Sequence, residues 1–551
     1  MSRRTAFILL LTFCAFALFW RLGDYGLTEP DEGRTAGIGY EFFKSGTWLM
    51  PRLYDLAQFN KPPLIYWACS LSYRIGGVNE WMARLPAALA ALGTLLLTRS
   101  IARRLYGERE ALAATLILLT APMFFVMAHI IDPNMMLTFW ITLSMWAAVA
   151  WFQDGKKFQQ WIFWIALGIA FLAKGPPAVG IVGLTLVAHR YLPARDGKLW
   201  RGLFNLPAIV VCAVVGLSWF VISCVKFPEL WHFFIGQELV GRLSGGIAGR
   251  SQPVWYFIPI LLGGFLPWFP LLTMPVVNVV SRFRADPRFR LLTLWVVLPL
   301  IMFSLSKSKL PAYILPLFPP LAILAAAETA AESRWCRREQ MIFSILMAAL
   351  LVALLALLGP GQLGWDHGLI WRDAIWLLPA AAALLATVLS RGGKKLIGAA
   401  AFIVVTHLAC IGILSRHENE IEAHSSPRKM CEALIPQLRP GDRVVLYKNY
   451  PRGVNFYLQY PLSFSDKFEP QIESDWLRLL GRLYKEEEVG QVYRWFDSEP
   501  RVFVITTDRK RGGKAGTDKS PLDFLSDGCR KKAREIYRDD KYVVVCNFPP
   551  A

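Results

Sequence analysis

Apolar runs of roughly 17 to 25 residues recur along most of this chain, and a helix of that length crosses the hydrocarbon core of a bilayer. Thirteen spans are predicted, at 5–20, 82–98, 111–131, 133–152, 160–173, 176–190, 204–225, 254–278, 291–305, 311–328, 341–358, 370–389 and 396–414. The fifth and sixth are the shortest. Of 551 residues, 54% are hydrophobic and 18% charged, which excludes an ordinary soluble domain. The fold class that follows is an all-α polytopic membrane protein. The first run follows Ser2, Arg3 and Arg4 without a small-residue cleavage site behind it, so it reads as an anchor and not as a secretory signal.

Lys and Arg accumulate in cytoplasmic loops. Every second loop is basic: Arg99 to Arg109, Lys156/Lys157, Arg190 to Arg201, Arg282 to Arg290, Arg334 to Arg338, and Arg391 to Lys395. All fall on one side if the N-terminus is cytoplasmic, and that parity fit is the strongest argument for an odd number of spans. The net charge of +19 is then largely a topology signal, and nucleic acid is not implied as a partner. From about Arg416 the chain turns polar, with β-branched runs at 443–447, 501–507 and 541–548 around a helical pattern near 476–484. This predicts a transmembrane domain over 1–415, its first outer loop at 21–81, and a small α/β domain outside the membrane over 416–551. Of nine Cys, Cys69, Cys431, Cys529 and Cys546 would face an oxidising space; their spacing allows one tail disulfide and demands none. Seven scattered His and no CxxC give no metal site, and no P-loop or strand-led GxGxxG is present.

The chemistry gathers on the outer side. "LTEPDEGRTAGIGYEFFKSG" (27–46) sets Glu29, Asp31 and Glu32 beside Arg34 at the start of an amphipathic helix that Gly46 stops. Thr28 with Asp31 has the spacing of a capping box, and acids in a first turn complement the helix dipole. In "QFNKPPLIYW", Lys61 precedes a rigid Pro62-Pro63 unit; it is either a snorkelling interface cation or a ligand for an anionic head group. Asp132, before Pro133, is placed as an N-cap, and a carboxylate at a membrane boundary also suits a reacting group. Lys174 stands ahead of Pro176, and Lys307 and Lys309 ahead of Pro311. Lysines beside Pro-led helix starts make anion sites, or simply anchor span ends. Tyr313 can donate its phenolic hydrogen to the same anion. Arg242 and Arg250 lie in a glycine-rich stretch that suits a loop ordered by ligand, and Arg grips phosphate in a bidentate way. Ordinary surface arginines are the alternative.

Together, "EPDEGRTAGIGYEFFKSGTWLMPRL", "FNKPPLIYW", "IDPNMMLTFW", "AKGPPAVG", "WYFIPILLGGFLPW" and "SKSKLPAYILPLFP" resemble the polyprenyl-phosphate-dependent glycosyltransferases of the GT-C class. They are most similar to the bacterial lipid A aminoarabinose transferases within the protein mannosyltransferase superfamily. The resemblance implies about 13 transmembrane helices, juxtamembrane helices in the first outer loop and a C-terminal periplasmic domain. It implies an inner-membrane enzyme facing the periplasm, with no cofactor. Its donor would be a single sugar on undecaprenyl phosphate, and its acceptor a lipid or glycan, lipid A first. By matching position Asp31 and Asp132 are the catalytic acids, and Lys61, Lys307, Lys309 and Tyr313 hold the carrier phosphate. Arg242 and Arg250 join them by their chemistry, with Glu32, Arg34 and Lys174 as further candidates. One departure stands out: Asn60 occupies the place of an acid, and no His lies near Gly249, so the family's metal contact is not implied and the sugar stays open.

The rival readings are a transporter or flippase of the lipid-linked sugar, a non-catalytic lipid sensor and a protein O-mannosyltransferase-type enzyme. A transporter keeps ionisable residues near mid-bilayer on broken helices and shows repeated halves. Here they sit at span ends on one face. Labelling of Asp31→Cys and Lys309→Cys with an impermeant thiol reagent should modify both from the same side of the membrane; labelling from opposite sides would refute the topology.

Overall fold

A computed structural model describes residues 3–330 except 55, 192–201, 242–250, 267 and 270–278, and within 425–549 chiefly 425–447, 451–464, 501–507, 533–539 and 541–549. The last three predicted spans and the 476–484 helical pattern lie outside the described residues. Among the described ones, five helices are long and apolar enough to cross a membrane: Glu80–Leu105, Pro133–Asp154, Leu206–Lys226, Pro287–Leu305 and Pro311–Glu328. The chain is thus a helical membrane protein. The first run forms α1 (Arg3–Phe19). The first loop supplies α2 (Asp31–Ser45) and α3 (Leu64–Gly76), with a two-stranded hairpin of β1 (Arg52–Leu53) and β2 (Leu56–Ala57) between them. Then come α4 (Glu80–Leu105), α5 (Glu108–Thr120), α6 (Pro122–Ala128), α7 (Pro133–Asp154), α8 (Lys157–Lys174) and α9 (Pro177–Tyr191).

The predicted third span is not one straight helix. It breaks into α5 and α6, which meet at 68°. Pro122 cannot donate to the helical ladder, and Ala121 before it takes an extended backbone. The run at 254–278 starts as a 3-10 turn, Val254–Tyr256, and an eight-residue helix, Phe257–Gly264. The run at 311–328 also opens as a 3-10 segment, Pro311–Leu317, before becoming α-helical over Phe318–Ala330.

Between apolar helices in lipid no hydrophobic driving force remains, so association rests on close packing. Small residues provide it. Ala87, Ala88, Ala90 and Ala91 of α4 are buried, and Gly168 of α8 lies so near the helix Leu206–Lys226 that a Cβ there would meet the Cys212 carbonyl oxygen at 2.7 Å. Buried threonines answer their own hydroxyls one turn back, Thr94 to Ala90 and Thr98 to Thr94 at 2.7 Å each, and Thr138 to Asn134 at 2.7 Å. No cross-helix partner is then required.

The β-branched runs near the C-terminus form strands of one sheet: β3 (Arg443–Leu446), β4 (Leu462–Phe464), β5 (Val502–Thr507), β6 (Arg534–Arg538) and β7 (Tyr542–Cys546), in the order β4-β3-β5-β7-β6. β3 runs parallel to β4 and β5, while β7 is antiparallel to β5 and β6. Side chains alternate between faces with period two. One face carries Val445, Val504 and Val543 into a cluster with Trp495 and Phe496. The other carries Val444, Ile505 and Val544 into a cluster that also contains Ala36, Ile38, Tyr66 and Tyr73 of the first loop. The sheet therefore packs on α2 and α3. This corrects the simple amphipathic reading of α2, whose residues from Glu32 to Tyr40 are all buried. Gly46 ends it as predicted, in the left-handed region with φ 67°, donating its N–H to Phe42.

Cys69, Cys431 and Cys546 are buried and form no disulfide with one another, and Cys529 lies outside the described residues. Replacing Gly168 by Val should force α8 and the helix Leu206–Lys226 apart, because the obstructing atom is backbone. An overpacking loss of about 1–3 kcal/mol is expected, read as a lowered unfolding midpoint in detergent.

Candidate active site

The helix α2 starts without the capping box predicted for Thr28 and Asp31. Pro30 is its N-cap and offers no side-chain bond, whereas Thr28 donates its N–H at 3.0 Å and its hydroxyl at 2.9 Å to the Glu32 carboxylate. The carboxylate that reaches back is one residue later than the spacing implied. Asp31 is left for other work. Its side chain is 58% exposed, pairs with Arg34 one turn on, and stands 3.9 Å from the Lys61 ammonium.

Glu32 is completely buried against an equally buried Arg84 of α4. The pair is bidentate, with Nε and Nη2 each 2.9 Å from a carboxylate oxygen. The remaining guanidinium hydrogens go to the carbonyls of Leu22, Tyr25 and Gly26 at 3.1, 2.8 and 3.1 Å, and the Arg84 Cζ lies 3.8 Å from the Tyr25 ring centroid. Glu32 also accepts the Ile131 N–H at 3.1 Å. One carboxylate thus joins the start of α2, the body of α4 and the residue before Asp132. Burial alone would push the Glu32 carboxyl up, but the Arg84 charge and the N–H donors outweigh it and hold it below the ordinary glutamate value of 4.5. An arginine inside a predicted span was the sequence signal for this pair, since a charge there requires a partner.

Asp132 caps α7 as read, accepting the Asn134 N–H at 2.7 Å with Pro133 in the first turn. Its carboxylate also takes the Asn134 carboxamide N–H, whose oxygen in turn accepts from the Lys174 ammonium. Lys174 is the last residue of α8, and its Nζ lies 4.1 Å from the centroid of the Tyr313 ring. The sequence reading set Lys174 toward the next helix start; its ammonium instead engages Asn134 and Tyr313, where a cation at a helix C-terminus is also favoured. Asp132, Asn134, Lys174 and Tyr313 form one polar chain, and Asn134 is the member sequence reasoning passed over.

Lys307 and Lys309 part company. Lys307 is exposed, while Lys309 is 4% exposed and donates to the Gln252 carbonyl at 2.8 Å. Ser251 and Ser308 form an antiparallel bridge, so the stretch before Val254 is fastened to the lysine turn. Arg242 and Arg250 lie outside the described residues. Among those described, no group of three His, Cys, Asp or Glu stands close enough to hold a metal.

Residues 60–225 match the family model described as "Dolichyl-phosphate-mannose-protein mannosyltransferase". The chain is 32% identical over 326 residues to an undecaprenyl phosphate-alpha-4-amino-4-deoxy-L-arabinose arabinosyl transferase 2 of Proteus mirabilis, covering 58% of each protein. It is 33% identical over 333 residues to the corresponding transferase of Pseudomonas aeruginosa, covering 59% of each. The match thus spans about three-fifths of these curated relatives. In fold the likeness extends over the length of both chains: the crystal structure of ArnT from Cupriavidus metallidurans bound to undecaprenyl phosphate aligns over 100% of each with a TM-score of 0.80 at 26% identity. Its apo structure aligns likewise at 0.78. The resemblance read from the motifs, to GT-C polyprenyl-phosphate glycosyltransferases of the ArnT type, is borne out.

Breaking one side of the buried pair leaves an uncompensated charge, so Glu32→Gln should lower stability by about 3–5 kcal/mol in detergent unfolding. Because Glu32 titrates below 4.5 when folded, its contribution is present above about pH 4.5 and is lost as pH falls through the folded value. The unfolding midpoint should therefore drop with pH below that point in the native protein, and Glu32→Gln should flatten that part of the profile.

Proposed function

We propose that this protein is an inner-membrane glycosyltransferase that moves one sugar from undecaprenyl phosphate to an acceptor on the periplasmic side, lipid A or another envelope glycan. The reading carries with it the full thirteen spans, a periplasmic C-terminal domain and an N-terminus in the cytoplasm. The observation that carries it is the cluster at the start of α2: an accessible Asp31 with Arg34 and Lys61 beside it, fixed by Glu32 to the residue before a second acid, Asp132. What supports the substrate class is the whole-chain likeness in fold to a protein solved with undecaprenyl phosphate, together with relatives named as undecaprenyl phosphate-aminoarabinose transferases.

The mechanism is a single displacement with inversion at the anomeric carbon. As the carrier phosphate leaves, negative charge grows on its oxygens. Fixed cations are then worth more in the transition state than in the ground state. Lys61, Lys307, Lys309, Arg242 and Arg250 fill that role, with the Tyr313 hydroxyl as a neutral donor and Lys174 holding the Tyr313 ring and Asn134 in place. Asp31 deprotonates or orients an acceptor hydroxyl, or balances positive charge on the sugar ring if the acceptor is a phosphate. Asp132, rigid as a helix cap, faces the incoming partner as the second acid. Arg34 stays paired with Asp31 and orients it.

A radiolabelled polyprenyl-phosphate sugar in proteoliposomes separates the rivals: an enzyme releases the sugar to acceptor, a flippase moves the donor intact, and a sensor only binds it. Asp31→Asn should lower the transfer rate at least about a hundredfold. Unchanged turnover would remove Asp31 from the chemistry. Mass spectrometry of lipid A and of cell-envelope glycoproteins from a deletion strain names the acceptor and tests the protein mannosyltransferase alternative.

A further inference from the structure

The far end of the chain grips the residue two positions before Asp31. Both carboxylate oxygens of Glu29 are taken by backbone donors, Oε2 by the Arg452 N–H at 2.9 Å and Oε1 by the Gly453 N–H at 2.6 Å. Glu29 returns the contact through its own N–H, which donates to the Ser425 carbonyl at 2.7 Å. Around this clasp the tail lies flush on α2. A Cβ at Gly33 would meet the Gly453 nitrogen at 2.8 Å, and one at Gly37 the Arg452 carbonyl oxygen at 3.1 Å, so these two glycines admit the tail backbone. Asn455 extends the seam by donating to the Gly37 carbonyl at 3.3 Å and to the Glu41 carboxylate at 3.2 Å.

Positions 33, 37 and 41 run down the face that the tail meets, while the Asp31 side chain stays 58% exposed. The tail therefore touches α2 without covering the acid. On the Asp31 side, Glu32 holds the helix start to α4 and Ile131; on the tail side, Glu29 holds it to Arg452 and Gly453. The first turn of α2 is pinned from both directions.

We propose that the C-terminal segment is a positioning element for sugar transfer, and that Glu29, through its clasp on the Arg452 and Gly453 amides, is a positioning residue that sets where the Asp31 carboxylate stands. This rests on the glycosyltransferase reading above. Glu29 does not touch substrate. Its effect is on the approach of Asp31 to the reacting atoms, where a displacement of about 1 Å costs roughly a hundredfold in rate.

The test uses the full chain in proteoliposomes with two variants that reach the clasp from opposite ends. Glu29→Gln replaces one accepting oxygen by an amide that cannot accept. Gly453→Ala adds a methyl 3.0 Å from the Glu29 Oε1 and 3.3 Å from the Gly33 Cα, at a φ of −92° that alanine adopts without strain. For each, kcat and donor KM are measured per folded molecule on the monodisperse fraction, and hydrogen exchange is followed at the amides of residues 31–37. The expected result is faster exchange there, a kcat lowered about tenfold for Glu29→Gln and severalfold for Gly453→Ala, and a donor KM within twofold of the native value. A merely structural role would reduce the folded yield and leave kcat per folded molecule alone. Faster exchange with kcat within twofold in both variants overturns the proposal, as does unchanged exchange in both, or a raised KM with native kcat. If one variant does not fold, the other decides. If the native protein transfers no sugar, the functional reading fails separately, and the exchange measurement still shows whether the clasp holds the helix.

Discussion

A single buried ion pair organises the polar end of this membrane protein. Glu32 and Arg84 are both removed from solvent, and neither tolerates that without the other. The geometry answers the demand: two charge-assisted bonds between them, three carbonyls for the rest of the guanidinium, and Thr28 and Ile131 for the rest of the carboxylate. A charge in this position is weak evidence for stability, since an apolar pair of the same shape often does as well. Its effect here is geometrical. Three chain segments distant in sequence meet at one carboxylate, and the two flanking positions that bear accessible or capping carboxylates, Asp31 and Asp132, are adjacent to its bonds.

The two halves of the described structure are held by different physics. Among the apolar helices the surroundings are as oily as the side chains, so contact depends on alanine and glycine letting backbones approach, as at Gly168 and Gly216, and on hydroxyls that satisfy themselves. The sheet and the first loop use the ordinary hydrophobic effect. Val444, Ile505 and Val544 are removed from water against Ile38, Tyr66 and Tyr73. Polar bonds then set the register of that contact, including the Tyr54 hydroxyl donating to the Pro451 carbonyl, and Arg428 donating to the Asp24 carbonyl at 3.1 Å and lying 3.5 Å from Glu80.

Local chemistry was legible in the sequence and distant pairing was not. The apolar runs, the glycine that stops α2, the Asp132-Pro133 helix start and the β-branched strands all announce themselves within a few residues. The elbow at Pro122 was also written locally, but it sits inside an uninterrupted apolar stretch, and composition masked the missing hydrogen bond. Capping by Glu32 in place of Asp31 turns on one position, since the Arg84 and Ile131 donors hold the second carboxylate inward. Lys174 and Asn134 are forty positions apart, Glu29 and Gly453 more than four hundred. No periodicity carries such pairings, which are selected by the way the bundle closes. Arg84 was the one visible clue, a charge inside an apolar run.

The separation between Glu29 and Gly453 has a consequence for biogenesis. Their bond joins residues 424 positions apart. At a synthesis rate of roughly 5–20 residues per second, 424 residues take about 20–85 s to emerge. For that interval the glycine-lined face of the helix after Pro30 has no cover, and its carboxylate no amides to receive it. The ribosome must nearly finish before the start of α2 can settle, so every premature stop upstream of residue 452 yields a chain in which that helix never acquires its final neighbour.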